Sequence, residues 1–407
     1  MKRLPDLKTK RIAIKLRPSA EKQVKKGHPW VFSDSLVKGD IDGNAGDVAV
    51  IFDSKSNKFL ACGLYDPYSP IRIKILQHHV AKEINYDWFY DRIKTARNLR
   101  LKHFDKETTS LRLVFGENDG LPGLIVDQYE NVLVVKLYSL IWAPYLDFVL
   151  QCLIELSDCR SIVLRLGRNT VKGYRSLGLH DGQVIHGNLN NEDVLFKEHG
   201  LTFQANVIDG HKTGFFLDHR HNRKRVGDLA KNKRVLDVFC YAGGFSVHAM
   251  NGGAREVASI DVSEQALELA KRNMTLNGLG DNGKHKTIVG DAFRELDKLI
   301  SNKRKYDLVV IDPPSFAKSQ KEIRKALFQY ERLAKMGEQL TAPNGVLVLA
   351  SCSSRISAHD FYEVNMQVIS ASGRFVQLID QTQHDVDHPI GFEEGAYLKC
   401  GYYQFFD

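Results

Sequence analysis

Val235-Leu236-Asp237-Val238-Phe239-Cys240-Tyr241-Ala242-Gly243-Gly244-Phe245 decides how the rest of the chain is read. An apolar run passes through a carboxylate and ends in adjacent glycines. The run predicts a buried strand, and glycines let backbone approach a ligand where a side chain would clash. The pattern is not G-x-G-x-x-G, so the dinucleotide fingerprint fails. Taken alone, the segment also reads as a simple strand-to-helix turn. Further apolar runs follow at 257–262, 287–289, 306–311, 345–350 and 375–379. Helical segments separate them. The segment 263–278 puts Ala266, Leu267, Ala270 and Met274 on one face, and 318–340 does so with Ile323, Ala326, Leu327, Tyr330 and Ala334. Alternation over about 170 residues predicts an α/β domain whose parallel sheet carries helices on both faces. Ligands of such sheets sit beyond the carboxyl ends of the strands, so the informative residues are those that end strands.

Asp261 ends the second strand, 18 residues past Gly243. That spacing suits a carboxylate that accepts hydrogen bonds from ribose hydroxyls. The alternative is a helix cap for the segment beginning at Ser263. Asp291 ends the third strand and adds a carboxylate at the same edge. Together with the glycine turn these point to a nucleoside cofactor. The fourth strand ends Asp312-Pro313-Pro314-Ser315-Phe316. Two prolines make the exit rigid and remove two backbone donors. A rigid exit places Asp312 to bond a base edge and Phe316 to stack on it. Cys352 ends the fifth strand among small polar residues, where a thiolate could add to a substrate. Cys62, Cys152, Cys159 and Cys400 read as small buried hydrophobes.

Working outward, strand-like runs at 12–16, 48–52, 59–65 and 71–76 make a small β-rich head. A middle α+β block follows, with helices at 86–103 and 144–156. It has strands at 111–115, 123–127, 132–138 and 161–166, and a hairpin turning at His199-Gly200. The 407 residues carry 57 Lys+Arg against 49 Asp+Glu, a net charge of +8. Residues 1–40 hold eleven cations and four acids, so nearly all of the excess lies there. A basic head on a near-neutral body suggests a polyanion partner such as RNA, with a solubilising tail as the alternative. Lys22, Lys25 and Lys26 are the candidate phosphate contacts. The segment 219–225 is a second basic cluster, either an RNA contact or a solvated helix face. Trp30 reads as a core residue rather than a stacking surface. No apolar run is long enough to span a membrane. The N-terminus has no secretory h-region. The scattered cysteines argue against a zinc module and a disulfide framework, and fit a cytoplasmic setting with free thiols and no metal.

These residues resemble class I S-adenosylmethionine-dependent methyltransferases through Asp237, Gly243-Gly244, Asp261, Asp291 and Asp312-Pro313-Pro314. The finer resemblance is to ribosomal RNA large-subunit cytosine-5 methyltransferases with an N-terminal PUA domain. It rests on Gly27-His28-Pro29-Trp30-Val31-Phe32-Ser33, Asp119-Gly120-Leu121-Pro122-Gly123-Leu124, Gly210-His211-Lys212-Thr213-Gly214-Phe215-Phe216-Leu217-Asp218, Asp387-His388-Pro389 and Tyr397-Leu398-Lys399. The resemblance implies a PUA RNA-binding domain over 1–80, a middle α+β domain over 81–205, and a Rossmann-like methyltransferase domain over 206–407 closed by an antiparallel strand at 399–406. It implies S-adenosyl-L-methionine as cofactor, large-subunit ribosomal RNA as substrate, and a homodimer as one expectation for assembly. Asp237, Tyr241, Gly243, Gly244 and Asp261 would hold the cofactor's methionine and ribose, and Asp291 its adenine. Asp218 and Arg220 sit in the lead-in loop and would close over the site. Asp312, Cys352, Pro313, Pro314 and Phe316 would face the target base. The chain departs from the pattern at Pro314-Ser315, where many cytosine-5 RNA methyltransferases carry a second cysteine, and at Pro343-Asn344-Gly345, where a double glycine is common.

The implied chemistry needs a nucleophile, because C5 of cytosine does not take a methyl group unaided. Cys352 is expected to add at C6 as a thiolate, which requires its pKa to fall below the free value of ~8.5. Asp312 is expected to bond the N3/N4 edge. To protonate N3 it needs a pKa raised by burial above the reference ~3.9. The base that takes the C5 proton has no candidate in the sequence. Competing readings are methylation of another RNA atom such as a guanine nitrogen, a nicotinamide oxidoreductase, and a non-catalytic RNA-binding or assembly factor. The missing dinucleotide fingerprint counts against the oxidoreductase.

Overall fold

A computed structural model describes residues 7–37, 41–280, 283–317 and 319–407. Lys2, Arg3, Asp6, Lys38 and Asp40 of the basic head lie outside the described residues, as does position 318 at the predicted start of the 318–340 helix. The chain divides into two compact units. One comprises Met1–Phe196, Ala205–Phe216 and Val386–Phe392; the other comprises Lys197–Gln204, Leu217–Asp385 and Glu393–Asp407.

The first unit holds two five-stranded sheets. In the head, strands Arg11–Ile14, Val48–Phe52, Phe59–Tyr65, Ile71–His78 and Trp30–Phe32 lie side by side in that order. Ile14, Val24, Val31, Ala49, Ile51 and Ile73 form its core. Two of its elements escape the sequence reading: the helix Pro18–Lys25 and the short strand Trp30–Phe32. Pro18 starts the helix where its fixed φ is already helical, and Val24 buries the inner face completely. The lysines of this region therefore stand on folded structure, which removes the solubilising tail for that stretch. The second sheet runs Gln183–Gly187, Ser161–Leu166, Val132–Leu137, Leu124–Tyr129, Ser110–Phe115. Phe89 and Trp142 are buried in its core. The helix expected at 144–156 begins at Leu146, because Leu140–Tyr145 forms a 3-10 turn containing Pro144.

Trp30 is a correction to the sequence reading. It is half-buried rather than in the core. Its Nε1 donates to Glu117 Oε1 at 2.9 Å, and Phe392 packs edge-on at 5.1 Å.

The second unit is the sheet foreseen from the alternation. Its strands are β1 (Arg234–Val238), β2 (Glu256–Asp261), β3 (His285–Val289), β4 (Tyr306–Ile311), β5 (Thr341–Ser351), β6 (Val376–Thr382) and β7 (Lys399–Phe405). Their spatial order is 3-2-1-4-5-7-6. The first five are parallel, and β7 runs antiparallel to both β5 and β6. The central strands read as unbroken apolar runs because both faces are covered. The helices are α1 (Arg220–Leu229), α2 (Gly244–Asn251), α3 (Glu264–Leu276), α4 (Ala292–Ser301), α5 (Ile323–Leu340) and α6 (Ala358–Ser370). The order reverses between β1 and β4, so the carboxyl ends of these two strands flank the crevice where such folds bind ligands.

Candidate active site

The turn after β1 is built from left-handed backbone. Phe239, Tyr241 and Gly243 have φ of 64°, 47° and 71°. Side chains rarely adopt this region, and a Cβ on Gly243 would lie 2.7 Å from the Cβ of Ala270. Glycine is therefore required there. Asp261 pins the turn. Its Oδ2 accepts from Tyr241 N at 2.9 Å and its Oδ1 from Ser263 N at 2.9 Å. The helix cap of α3 is Ser263 itself, whose Oγ accepts from Ala266 N at 3.2 Å. Asp291 is exposed and caps α4 through Arg294 N at 3.1 Å. Val262 and Val289, 73% and 54% exposed, leave apolar surface at the same edge. Both close apolar runs of the sequence, and nothing in those runs distinguishes them from the buried residues beside them.

Asp237 is fully buried beneath the turn. Its Oδ2 accepts from Ser246 N at 3.0 Å and from Ser246 Oγ at 2.6 Å, while its Oδ1 is buried with no hydrogen-bond partner. Burial pushes the carboxyl up to about 7, against the pull of Ser246. The folded chain thus keeps this proton over a range in which the unfolded chain has lost it. Stability contributed by the protonated form falls as pH rises from about 4 to about 7, by on the order of 4 kcal/mol in full. Asp237→Asn should flatten that slope in the cofactor-free protein. Melting curves at pH 5 and pH 8 check it: the variant should gain on the native chain at the higher pH.

The other half of the site is formed by the exits of β4 and β5. Pro313 is buried and Pro314 exposed. Cys352 Sγ lies 3.9 Å from the carbonyl oxygen of Pro313, which brings the cysteine beside the Asp312-Pro313-Pro314 exit. Phe316 is half-buried and packs edge-on against Tyr330 at 5.2 Å, whose hydroxyl accepts from Ser351 Oγ at 2.8 Å. Two more side chains converge here, neither singled out as a site residue in the sequence. Lys399 pairs in register with Ser351, next to Cys352. It is 2% exposed, and its Nζ donates to the carbonyls of Ser353 at 2.5 Å and Ile356 at 2.8 Å. Burial lowers its pKa to about 8, partly opposed by Cys352. His219 is the second: its Nε2 stands 3.4 Å from Asp312 Oδ1.

The 219–225 cluster is split: His221 and Lys224 are exposed, as a solvated helix face requires, while the rest of it turns inward. His219, Arg220, Asn222 and Arg223 are buried. Arg220 Nε meets Asp385 Oδ2 at 3.0 Å, and Arg223 grips the fully buried Glu198 at 2.7 and 2.6 Å. Asp218 Oδ2 accepts from Tyr397 OH at 2.8 Å. Lys22, Lys25 and Lys26 are exposed and belong to the other unit. Lys25 differs from its neighbours. Its Nζ donates to Glu21 at 2.6 Å and is ion-paired with Asp53, so its charge is largely offset.

Comparison with known proteins agrees with this geometry. The S-adenosylmethionine-dependent methyltransferase family matches residues 112–395, and a PUA-like domain matches residues 14–78. A ribosomal RNA large subunit methyltransferase of Deinococcus radiodurans is 41% identical, covering 97% of each chain. The ribosomal RNA large subunit methyltransferase I of Aeromonas salmonicida is 34% identical over 95% of this chain and 98% of its own. A solved SAM-dependent methyltransferase of Streptococcus mutans shares the fold, with a TM-score of 0.81 at 21% identity over 97% of this chain and 99% of that one. Another solved methyltransferase, in complex with SAH, gives 0.82 at 22% identity over the same shares. The chain belongs to the S-adenosylmethionine-dependent methyltransferase family, carries a PUA-like domain at its head, and is related to the ribosomal RNA large subunit methyltransferases along nearly its whole length.

Proposed function

We propose that this protein methylates C5 of a cytosine in large-subunit (23S) ribosomal RNA through a covalent adduct on Cys352. The observation that carries the reading is the meeting of Cys352 with the Asp312-Pro313-Pro314 exit, at the carboxyl ends of adjacent strands. The relatives' established names supply the RNA class. Functionally the chain is read as an RNA-binding head over 1–80, a middle domain over 81–205 and the catalytic domain over 206–407. Its six free cysteines support a cytoplasmic setting.

The residues around β1 fit the cofactor. Gly243 and Gly244 open the backbone, and the unpartnered Oδ1 of Asp237 offers an acceptor to an ammonium group. Asp261 has lone pairs to spare for ribose hydroxyls. Val262 and Val289 offer apolar cover for an adenine ring, with Asp291 at its edge. Tyr241 completes the turn, and Asp218 and Arg220 line the loop that leads in. Bound S-adenosylmethionine supplies an electrophilic methyl group on a sulfonium. On the substrate side, Asp312 bonds the N3/N4 edge while Pro313, Pro314 and Phe316 hold the exit rigid. The buried Lys399 cation favours the Cys352 thiolate. A base inside structured RNA must be unstacked before this chemistry, at a few kcal/mol.

Phosphate contacts from the head supply affinity without base choice. Replacing Lys22 and Lys26 by glutamine should weaken RNA binding and reduce the slope of log affinity against log salt by about 2, leaving cofactor affinity unchanged. Lys25 is left out of that variant because its loss would strand Glu21. Binding titrations at several salt concentrations check it, and an unmoved slope would take the head out of RNA binding.

The function itself is tested by methyl transfer from labelled cofactor to ribosomal RNA followed by nucleoside analysis. The label is expected in 5-methylcytidine. Label in a methylated guanosine would overturn the base assignment, and cofactor binding without transfer would favour a non-catalytic role.

A further inference from the structure

We propose that His219 is the proton reservoir behind Asp312, acting through that carboxylate rather than on the base itself. This rests on the reading of Asp312 as the partner of the cytosine edge. The two side chains stand at ion-pair distance, short of a formed hydrogen bond. His219 is 4% exposed, and its Nε2 faces Asp312 Oδ1 at 3.4 Å. The ring is held from both sides. Phe245 packs edge-on at 5.5 Å, and the Asn222 amide lies 3.1 Å from Nδ1. Asn222 is itself fixed by two hydroxyls, Thr382 Oγ1 at 2.5 Å and Tyr402 OH at 2.9 Å, on its Oδ1. Hydroxyls both give and accept hydrogen bonds. The amide can therefore donate Nδ2 to an unprotonated Nδ1 or, turned over, accept from a protonated one. The pocket accommodates the imidazole in either charge state.

The chemistry needs such a group. The sequence reading asked burial to keep Asp312 protonated, but its side chain remains 24% exposed. A histidine in contact supplies the proton instead. The charged groups facing His219 are Asp312 at the end of β4, Asp218 before it in the chain, and Arg223 on α1. Burial and Arg223 oppose the charge, yet the two carboxylates outweigh them and the pKa rises. The steps balance as follows. The Cys352 thiolate forms a bond to C6, the C5=C6 pair moves toward C4, and the C4=N3 pair takes a proton at N3 from Asp312. His219 Nε2 provides that proton to Asp312. C5 then bonds the methyl group as its C–S bond breaks and the sulfonium leaves as a neutral thioether. Water takes the C5 proton, the C5–H pair re-forms C5=C6 and expels the thiolate, N3 returns its proton to Asp312, and Asp312 returns it to His219. No proton is gained or lost by the pair over the cycle.

A reservoir of this kind is a titrating group, which separates it from a purely structural histidine. Single-turnover methyl transfer by the full chain should decline at alkaline pH as His219 loses its proton. His219→Gln should lower the rate about 10²-fold, the range for a lost acid–base partner, and remove that alkaline limb. Affinity for S-adenosylhomocysteine and the melting profile are read alongside. A variant with the native rate, or a slower one with the native alkaline limb, would overturn the proposal. Should His219→Gln not fold, nuclear magnetic resonance of ring-labelled histidine decides in the native chain and in Asp312→Asn. The His219 pKa is expected to fall in Asp312→Asn, and an unchanged value would refute the coupling. Nucleoside analysis of the same reactions keeps the two readings apart. A product other than 5-methylcytidine contradicts the proposed function, whereas 5-methylcytidine with a persistent limb contradicts this inference alone.

Discussion

Cys352→Ser is expected to abolish turnover, by on the order of 10⁴-fold or more, while S-adenosylmethionine still binds. A serine hydroxyl is a far weaker acid than a thiol and stays protonated where the thiol ionises, so the covalent route closes when the nucleophile is lost. The substitution is nearly isosteric at a half-buried position, so packing changes little. The residues proposed to hold the cofactor lie on the turn after β1 and on the end of β2, whereas Cys352 follows β5, which is separated from β1 by β4. Calorimetric titration with the cofactor should therefore give the native affinity. Undiminished product from Cys352→Ser would remove the adduct and leave methylation to a direct route. The other cysteines do not substitute for it. Burial raises the thiols of Cys62, Cys152 and Cys400 to about 11, 11 and 12, so they stay protonated at neutral pH.

The largest stability effect is expected at Arg223. Glu198 is completely buried, and its two oxygens are taken by Arg223 at 2.7 and 2.6 Å, with His248 Nε2 at 2.9 Å on the first. Burial alone would push the Glu198 carboxyl up, but Arg223 and His248 hold it well below the usual carboxylate range. Removing one partner of a buried pair leaves a charge without compensation, which costs ~3–5 kcal/mol. Arg223→Ala should lose that much in chemical denaturation at pH 7. The sign with pH is that of a depressed acid. The stability that the pair contributes is complete above the unfolded pKa of about 4.3 and is lost as pH falls below it. The gap between native and variant should therefore narrow on acidification. A gap below ~1 kcal/mol at pH 7 would mean that water or His248 alone satisfies Glu198.

Much of the site was legible because α/β folds gather chemistry at strand ends. Asp261, Asp312 and Cys352 each close an apolar run and Asp237 lies just before the end of another, and an alternating pattern is enough to place them at one edge. His219 and Lys399 were not legible for the opposite reason. His219 precedes the first strand of the sheet, and Lys399 begins the last one. What brings them to Asp312 and Cys352 is a loop path and the antiparallel register of β7 on β5. The basic residues misled in a related way. A run of charge in a sequence reads as solvent-facing until its partners are known. Arg223 finds Glu198 25 residues upstream, and Arg220 finds Asp385 far downstream. Trp30 was misplaced because a lone tryptophan carries no periodic signal, and its half-buried setting depends on Glu117 and Phe392.

Covalent capture tests the central claim most directly. In RNA carrying 5-fluorocytidine, the C5 position offers fluorine where a proton must leave, so a methylated adduct cannot be released. The full chain incubated with this RNA and S-adenosylmethionine should gain the mass of the nucleic acid under denaturing conditions. Peptide mapping should place the link on Cys352. Efficient methylation of ordinary RNA with no trapped complex, or a link to any other residue, would contradict the account.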